Sequence, residues 1–203
     1  ESDGGTLDAE AEFREVVRIA PGDADAWHRI AVLAAARRAP DEALLAYRSA
    51  RVAAPDRFDS AVPVGRVLTR AARPREGSAI LAEARAAGSG GAPLLHALGV
   101  ALRDSGDAAG AIDALEEASR AAPNDVDVLD DLALSLMGAG RFAEAAERFA
   151  REAELSRGAA RPAFNRGVAL ERAGLDAEAK TAYEEALRRA PDDPATLNAL
   201  PWL

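Results

Sequence analysis

The sequence contains no cysteine, one methionine, one lysine (Lys180) and only 4% aromatic residues. Without cysteine there is neither a disulfide framework nor a thiolate metal site, and the compartment stays open. Val, Ile and Thr are thinly spread while alanine is abundant, which disfavours strands and favours helices. No stretch approaches the roughly 20 uncharged apolar residues that cross a bilayer, and no charged-then-apolar leader opens the chain. Membrane insertion is therefore not expected, and a soluble protein is. The first residue is Glu1, so initiation is expected elsewhere, with a leader, tag or preceding domain removed. Localisation, whether cytoplasmic or exported after loss of a leader, is undetermined. Positive charge is also in deficit. A net charge of -9 argues against broad nucleic-acid binding, which needs a basic surface to neutralise phosphates.

What the chain does have is internal repetition. The stretch from Ala92 to Pro123, APLLHALGVALRDSGDAAGAIDALEEASRAAP, recurs from Ala160 to Pro191 as ARPAFNRGVALERAGLDAEAKTAYEEALRRAP. The copies start 68 residues apart, twice 34. Gly99-Val100-Ala101-Leu102 matches Gly167-Val168-Ala169-Leu170, and Glu116-Glu117-Ala118 matches Glu184-Glu185-Ala186. A period of about 34 residues implies stacked supersecondary units.

Numbering each unit from its first residue places unit starts at Ala24, Phe58, Ala92, Val126, Ala160 and Pro194. The fourth place holds Trp27, Ala61, Leu95, Leu129, Ala163 and Leu197; the seventh holds Ile30, Val64, Leu98, Leu132, Arg166 and Leu200. The eighth is small (Ala31, Gly65, Gly99, Ala133, Gly167) until Pro201, and the eleventh is Ala34, Leu68, Leu102, Leu136 and Leu170. That spacing is one stripe of a helix. A break follows, with Pro40, Pro74, Gly106, Gly140 or Gly174 beside it, where glycine ends one helix and proline begins the next. A second helix then carries a small residue at the twentieth place (Ala43, Gly77, Ala111, Ala145, Ala179), a large one at the twenty-fourth (Tyr47, Leu81, Leu115, Phe149, Tyr183), and Ala50, Ala84, Ala118 and Ala186 three further on. Asp23, Asp125 and Asp193 precede first helices, where a carboxylate caps exposed N–H groups. The expectation is an all-α chain of about twelve helices in antiparallel pairs, without strands.

These residues resemble the signature of the tetratricopeptide repeat family, a two-helix unit with W-x2-L-G-x2-Y followed by A, F, A and P at set spacings. The resemblance covers nearly the whole chain. It implies a single array of stacked antiparallel helix pairs, an α-solenoid with a right-handed superhelix whose first helices line a concave groove. Its parts would be a partial unit over 1–23, complete units over 24–57, 58–91, 92–125, 126–159 and 160–193, and the start of a further or capping helix over 194–203. It also implies a non-catalytic role in holding protein segments, with no cofactor.

Three departures cluster at one junction: Glu152 stands where alanine is usual, Arg157 where proline is usual, and Arg166 where leucine is usual. A pairing of Glu152 with Arg166, directly or through Arg157, would compensate two charges in normally apolar sites. Gly88-Ser89-Gly90-Gly91 replaces a proline-terminated turn; no strand precedes it, as a phosphate-cradling loop requires, so it reads as a flexible turn. The terminal Trp202 and Leu203 are expected on an open face, through which the solenoid could self-associate.

No catalytic or metal site emerges. His28 and His96 share the fifth place of units two apart, roughly 20 Å from each other at about 10 Å per helix, too far to share a metal bound at about 2 Å. Asp130 and Asp131 are neighbours that point about 100° apart on a helix, and no nucleophile motif surrounds any Ser or Thr.

With places four, seven, eight and eleven committed to packing, the adjoining face is the one that the family uses for ligands. In the first three complete units it carries His28, Arg29, Val32, Val62, Arg66, Thr69, Arg70, His96, Val100 and Arg103. In the next two it carries Asp130, Asp131, Leu134, Met137, Phe164, Asn165 and Val168. The family's Lys and Asn clamp for a C-terminal carboxylate is missing. The expected partner is a protein or peptide segment, acidic over the early units and basic over the fourth, with apolar side chains seated on Val100, Leu134 and Phe164. The alternative is a structural or oligomerising arm of a larger assembly, or a regulatory region of a longer protein.

Overall fold

The computed structural model of the chain describes residues 2–200, with residues 2–8 represented by their backbone alone. The described residues form twelve α-helices and no strand. Two compact units divide them, 1–107 and 108–203. The first contains α1 (Ser2–Ile19), α2 (Ala24–Ala36), α3 (Pro40–Ala53), α4 (Ala61–Arg70), α5 (Pro74–Ala86) and α6 (Ala92–Ser105). The second contains α7 (Ala108–Ala121), α8 (Val126–Gly138), α9 (Phe142–Leu155), α10 (Arg161–Arg172), α11 (Asp176–Arg189) and α12 (Pro194–Ala199). Within each unit successive helices pack on one another, and their short links make those neighbours antiparallel. Pro201, Trp202 and Leu203, with the open face expected of them, lie outside the described residues.

The backbone repeats as strictly as the sequence. Residues 38, 72, 106, 140 and 174, spaced 34 apart, all have positive φ and follow the C-termini of α2, α4, α6, α8 and α10. The next residue in each case closes a 2.9 Å hydrogen bond onto the carbonyl five back: Ala39 to Ala34, Arg73 to Leu68, Asp107 to Leu102, Arg141 to Leu136, and Leu175 to Leu170. This closure satisfies carbonyls that the helix end would otherwise orphan. Glycine makes it without strain in three of the five. Arg38 and Ala72, at φ 60, carry the left-handed geometry with a Cβ, which costs each roughly 1–2 kcal/mol. Gly88 (φ 83) closes α5 in the same manner and Gly91 (φ 101) opens α6, so the glycine-rich stretch makes the turn between these two helices.

Helix starts follow the expected caps. The carboxylates of Asp23, Asp125 and Asp193 accept from the N–H groups of Ala26 at 3.0 Å, Asp127 at 3.0 Å and Thr196 at 2.9 Å. The second complete unit lacks such a cap, and α4 begins at Ala61, three residues into that unit.

The core is drawn from the striped positions, although Trp27, Leu95 and Leu102 of that stripe are half-buried and Leu197 is 47% exposed. The twenty-fourth place is buried in every complete unit: Tyr47, Leu81, Leu115, Phe149 and Tyr183 are at most 2% exposed. Each ring or branched chain there removes apolar area worth about 2–3 kcal/mol. Facing it, the eighth place must be small. A Cβ on Gly65 would come within 2.6 Å of the Leu81 side chain, and one on Gly167 within 2.5 Å of the Tyr183 ring. In the second unit Ile112, Leu132, Leu136, Phe149, Leu170 and Tyr183 join in one cluster.

The expected pairing of Glu152 with Arg166 does not form. Arg166 reaches Glu185 instead, at 3.9 Å, and the buried Glu152 leaves Oε2 without a hydrogen-bond partner. On α9, Glu152 is held near Asp130 and Asp127 of α8 and Arg161 of α10. Burial, helped by Asp130 and opposed by Arg161, pushes its carboxyl up to about 7. Arg189 braces the neighbouring turn, donating to the carbonyls of Ala159 at 2.8 Å and Ala153 at 3.2 Å.

Two predictions follow from this packing. Gly167→Ala should lower stability by about 1–3 kcal/mol because the Tyr183 ring must move. Gly138→Ala, at a helix site with nothing within 4 Å of the added carbon, should raise stability by roughly 0.5–1 kcal/mol. Urea melts of the two variants check both, and equal shifts would contradict the close-packing assignment. The second concerns pH. The folded carboxyl of Glu152 keeps its proton up to about pH 7, whereas the unfolded one releases it near 4.5. The native state therefore binds more protons across that window, and this group's contribution falls as pH rises from about 4.5 to about 7, then levels off. Glu152→Gln should be more stable than the parent above pH 7 by roughly 1–3 kcal/mol, with the advantage vanishing toward pH 4.5. Melting temperatures across that range provide the measurement.

Candidate functional site

After the packing stripe is spent, α2, α4 and α6 of the first unit still present one further face. Between α2 and α4 it opens into a cleft of about 1010 Å³ lined by Val32, Ala35, Ala36, Arg38, Val62, Pro63, Arg66, Val67, Arg70 and Ala71. Val32 is 38% exposed. Val62 and Pro63 are half-buried, and the alanines add little bulk, so the floor is apolar and shallow. Arg66 and Arg70 project one turn apart from α4, and Arg38 enters from the end of α2. All three are exposed, and none has a side-chain hydrogen bond or ion pair among the described residues. No carboxylate and no aromatic ring lines the cleft.

Four of the residues expected from the sequence, Val32, Val62, Arg66 and Arg70, are thus brought together. Arg38, Pro63 and Val67 were missed. Arg38 stands two residues before Pro40, at the first break, and the available signal is that its place is glycine in three later units. The other expected residues of this unit lie elsewhere. His28 was expected on the groove face; it is only 4% exposed, its Nδ1 shares a 2.8 Å hydrogen bond with Ser60 Oγ, and its Nε2 lies 3.8 Å from Asp59. Burial pushes this imidazole below its ordinary value against the pull of Asp59, so it is neutral at pH 7. Its role is to tie α2 to the start of α4. The Thr69 hydroxyl donates to its own helix, to Gly65 O at 2.9 Å. Arg29 is exposed, His96 and Val100 are half-buried, and Arg103 meets Asp104 at 3.3 Å.

In the second unit the corresponding face is less open. Phe164, Met137 and Val168 are half-buried and packed against the core cluster, with the Phe164 and Tyr183 rings 5.6 Å apart. Leu134 is the member that stands out, at 42% exposed. Asp130 accepts from Arg161 Nη2, and Asp131 and Asn165 are half-buried. The acidic wall expected here is therefore partly neutralised by the chain's own arginine.

The described residues hold no cluster of three or more His, Cys, Asp or Glu arranged to bind a metal, and no described helix is long and apolar enough to cross a membrane.

Comparison with known proteins agrees with this architecture. The chain superposes on the crystal structure of YrrB, described as a TPR protein with an unusual peptide-binding site, with TM-score 0.82 at 22% identity over 92% of this chain and 96% of that one. MamA gives 0.75 at 22% identity over 82% and 91%, and pilF of Pseudomonas aeruginosa gives 0.71 at 19% identity over 100% and 92%. At such identities the likeness shows the fold alone. No curated protein matches the sequence. Family profiles described as tetratricopeptide repeat match residues 3–58 and 131–194, and a second of the same description matches 92–125. With more than half of its length matched and its helix ends recurring every 34 residues, the chain belongs to the tetratricopeptide repeat family.

Proposed function

We propose that the chain is a non-catalytic interaction scaffold, its repeats forming one array, that holds a peptide segment of a partner protein on the face of its first helices. The observation that carries this reading is the cleft between α2 and α4, because its apolar floor is left open, with Val32 exposed and Val62 and Pro63 half-buried, beside a stripe given over to packing. A shallow apolar floor with charged walls suits an extended or helical peptide that lays down alternate side chains. The peptide-binding description of YrrB supports the same role by likeness of fold.

A second reading, an arm that assembles with further copies, is favoured by large apolar side chains left exposed outside the cleft: Val52 at 84%, Ile19 at 71% and Leu45 at 66%. The two readings predict different sensitivities. If the scaffold reading holds, Val32→Asp should leave helicity intact and change stability by no more than about 0.5 kcal/mol. It should also weaken peptides recovered from a random-sequence library by roughly tenfold or more. Backbone amide shifts on adding such a peptide should cluster on α2 and α4. Shifts confined to α3 and α5, or indifference to Val32→Asp, would overturn the reading. A concentration-dependent oligomer abolished by Val52→Asp would favour the arm.

A further inference from the structure

The lining of the α2–α4 cleft specifies the chemistry of its occupant, and this step rests on the peptide-scaffold reading above. We propose that the cleft takes an acidic, aliphatic peptide segment, whose side-chain carboxylates meet Arg38, Arg66 and Arg70 while its aliphatic side chains rest on Val32 and Val62.

The argument begins with charge left unsatisfied. The protein carries nine more negative than positive charges, and in the first unit Arg14, Arg18, Arg37, Arg51, Arg57, Arg73 and Arg103 each reach a carboxylate. Arg37 contacts Glu10 and Glu42 at 2.9 Å, Arg51 contacts Glu83 at 2.5 Å, and Arg73 contacts Asp41 and Glu76 at 2.6 Å. Arg38, Arg66 and Arg70 share one cleft, and none of the chain's acids lines it. In an acidic chain such a site stays cationic only because local structure keeps carboxylates away.

Two features of the site work against stability. Arg66 and Arg70 stand four apart on α4, where like charges repel. Arg38 occupies a left-handed backbone position, φ 60, a strain it shares with Ala72, whereas their counterparts Gly106, Gly140 and Gly174 avoid the steric penalty. Neither is explained by packing, since all three side chains are exposed. Both follow if the guanidinium groups serve a bound anion, because each fork can engage two carboxylate oxygens at once. The exposed apolar floor requires more than a free anion, and the absence of an aromatic ring removes the stacking platform that single-stranded nucleic acid uses. A peptide bearing both carboxylates and aliphatic side chains meets both demands.

The test selects dodecapeptides from a random-sequence display library on the full chain and measures recovered peptides by fluorescence anisotropy. Asp and Glu should be enriched together with Leu, Ile or Val. Affinity should fall roughly fivefold for each of Arg66→Gln and Arg70→Gln, and by tenfold or more as salt rises from about 0.05 to about 0.5 M. Arg38→Gly is the decisive variant: it should raise the melting temperature by relieving the left-handed residue, yet weaken the peptides. A merely structural role for Arg38 would not move the two in opposite directions. Peptides that are lost on Val32→Asp but show no acidic enrichment, or that ignore all three arginine replacements, would overturn this inference and leave the scaffold reading standing. Peptides indifferent to Val32→Asp would remove both. An oligonucleotide that competes for the cleft while acidic peptides do not would replace the peptide with a nucleic acid.

Discussion

The structure depends on one steric relation, seen in the α4–α5 and α10–α11 pairs: a small residue at the eighth place lies against a large one at the twenty-fourth. Gly65 against Leu81 and Gly167 against Tyr183 leave no room for even a methyl group without displacement of the neighbour. Because the backbone of the first helix approaches so closely, the large side chain of the second is excluded from water and the two helices hold a fixed spacing. Alanine at the twentieth and twenty-seventh places extends the same approach along the second helix, and Ala43, Ala111, Ala179, Ala50 and Ala118 are all fully buried. This close approach accounts for part of the alanine content, beside its helix propensity.

That relation also decides which surface remains for function. A helix whose fourth, seventh, eighth and eleventh places are spent on packing has little more than one adjoining face to offer. In the first unit that face keeps the exposed Val32 and three arginines without side-chain partners among the described residues, whereas in the second Phe164, Met137 and Val168 turn toward the core and Arg161 neutralises Asp130. The repeat is thus uniform in its interior and individual on its surface, as expected when packing restricts the interior positions and the solvent-facing ones vary freely.

Charges placed in normally apolar positions show the limit of that uniformity. Glu152 occupies a site where alanine fits, and desolvation keeps its carboxyl protonated to about 7. Its neighbour set is acidic apart from Arg161, because the fifth and second places of α8 are aspartates. Arg166 escapes the same fate, since its longer, flexible stem carries the guanidinium to Glu185 near the surface. Similar sequence departures therefore have opposite outcomes according to side-chain reach.

The sequence by itself determined the period, the helix pairs, their caps at Asp23, Asp125 and Asp193, and most of the buried positions, because each rests on local chemistry repeated at fixed spacing. It also picked out Val32, Val62, Arg66 and Arg70, whose helical phase alone puts them on the open face. Tertiary structure decided the rest. His28 has the same phase as a groove residue, but Ser60 from the next unit draws it inward, and no local pattern reveals that contact. Arg38 lies outside any helix, so periodicity could not assign it a face; only the left-handed turn after α2 brings its side chain to the cleft. Phe164 and Met137 have the phase of a groove floor and the size of core residues, and the choice between them turned on how closely the neighbouring helix approached.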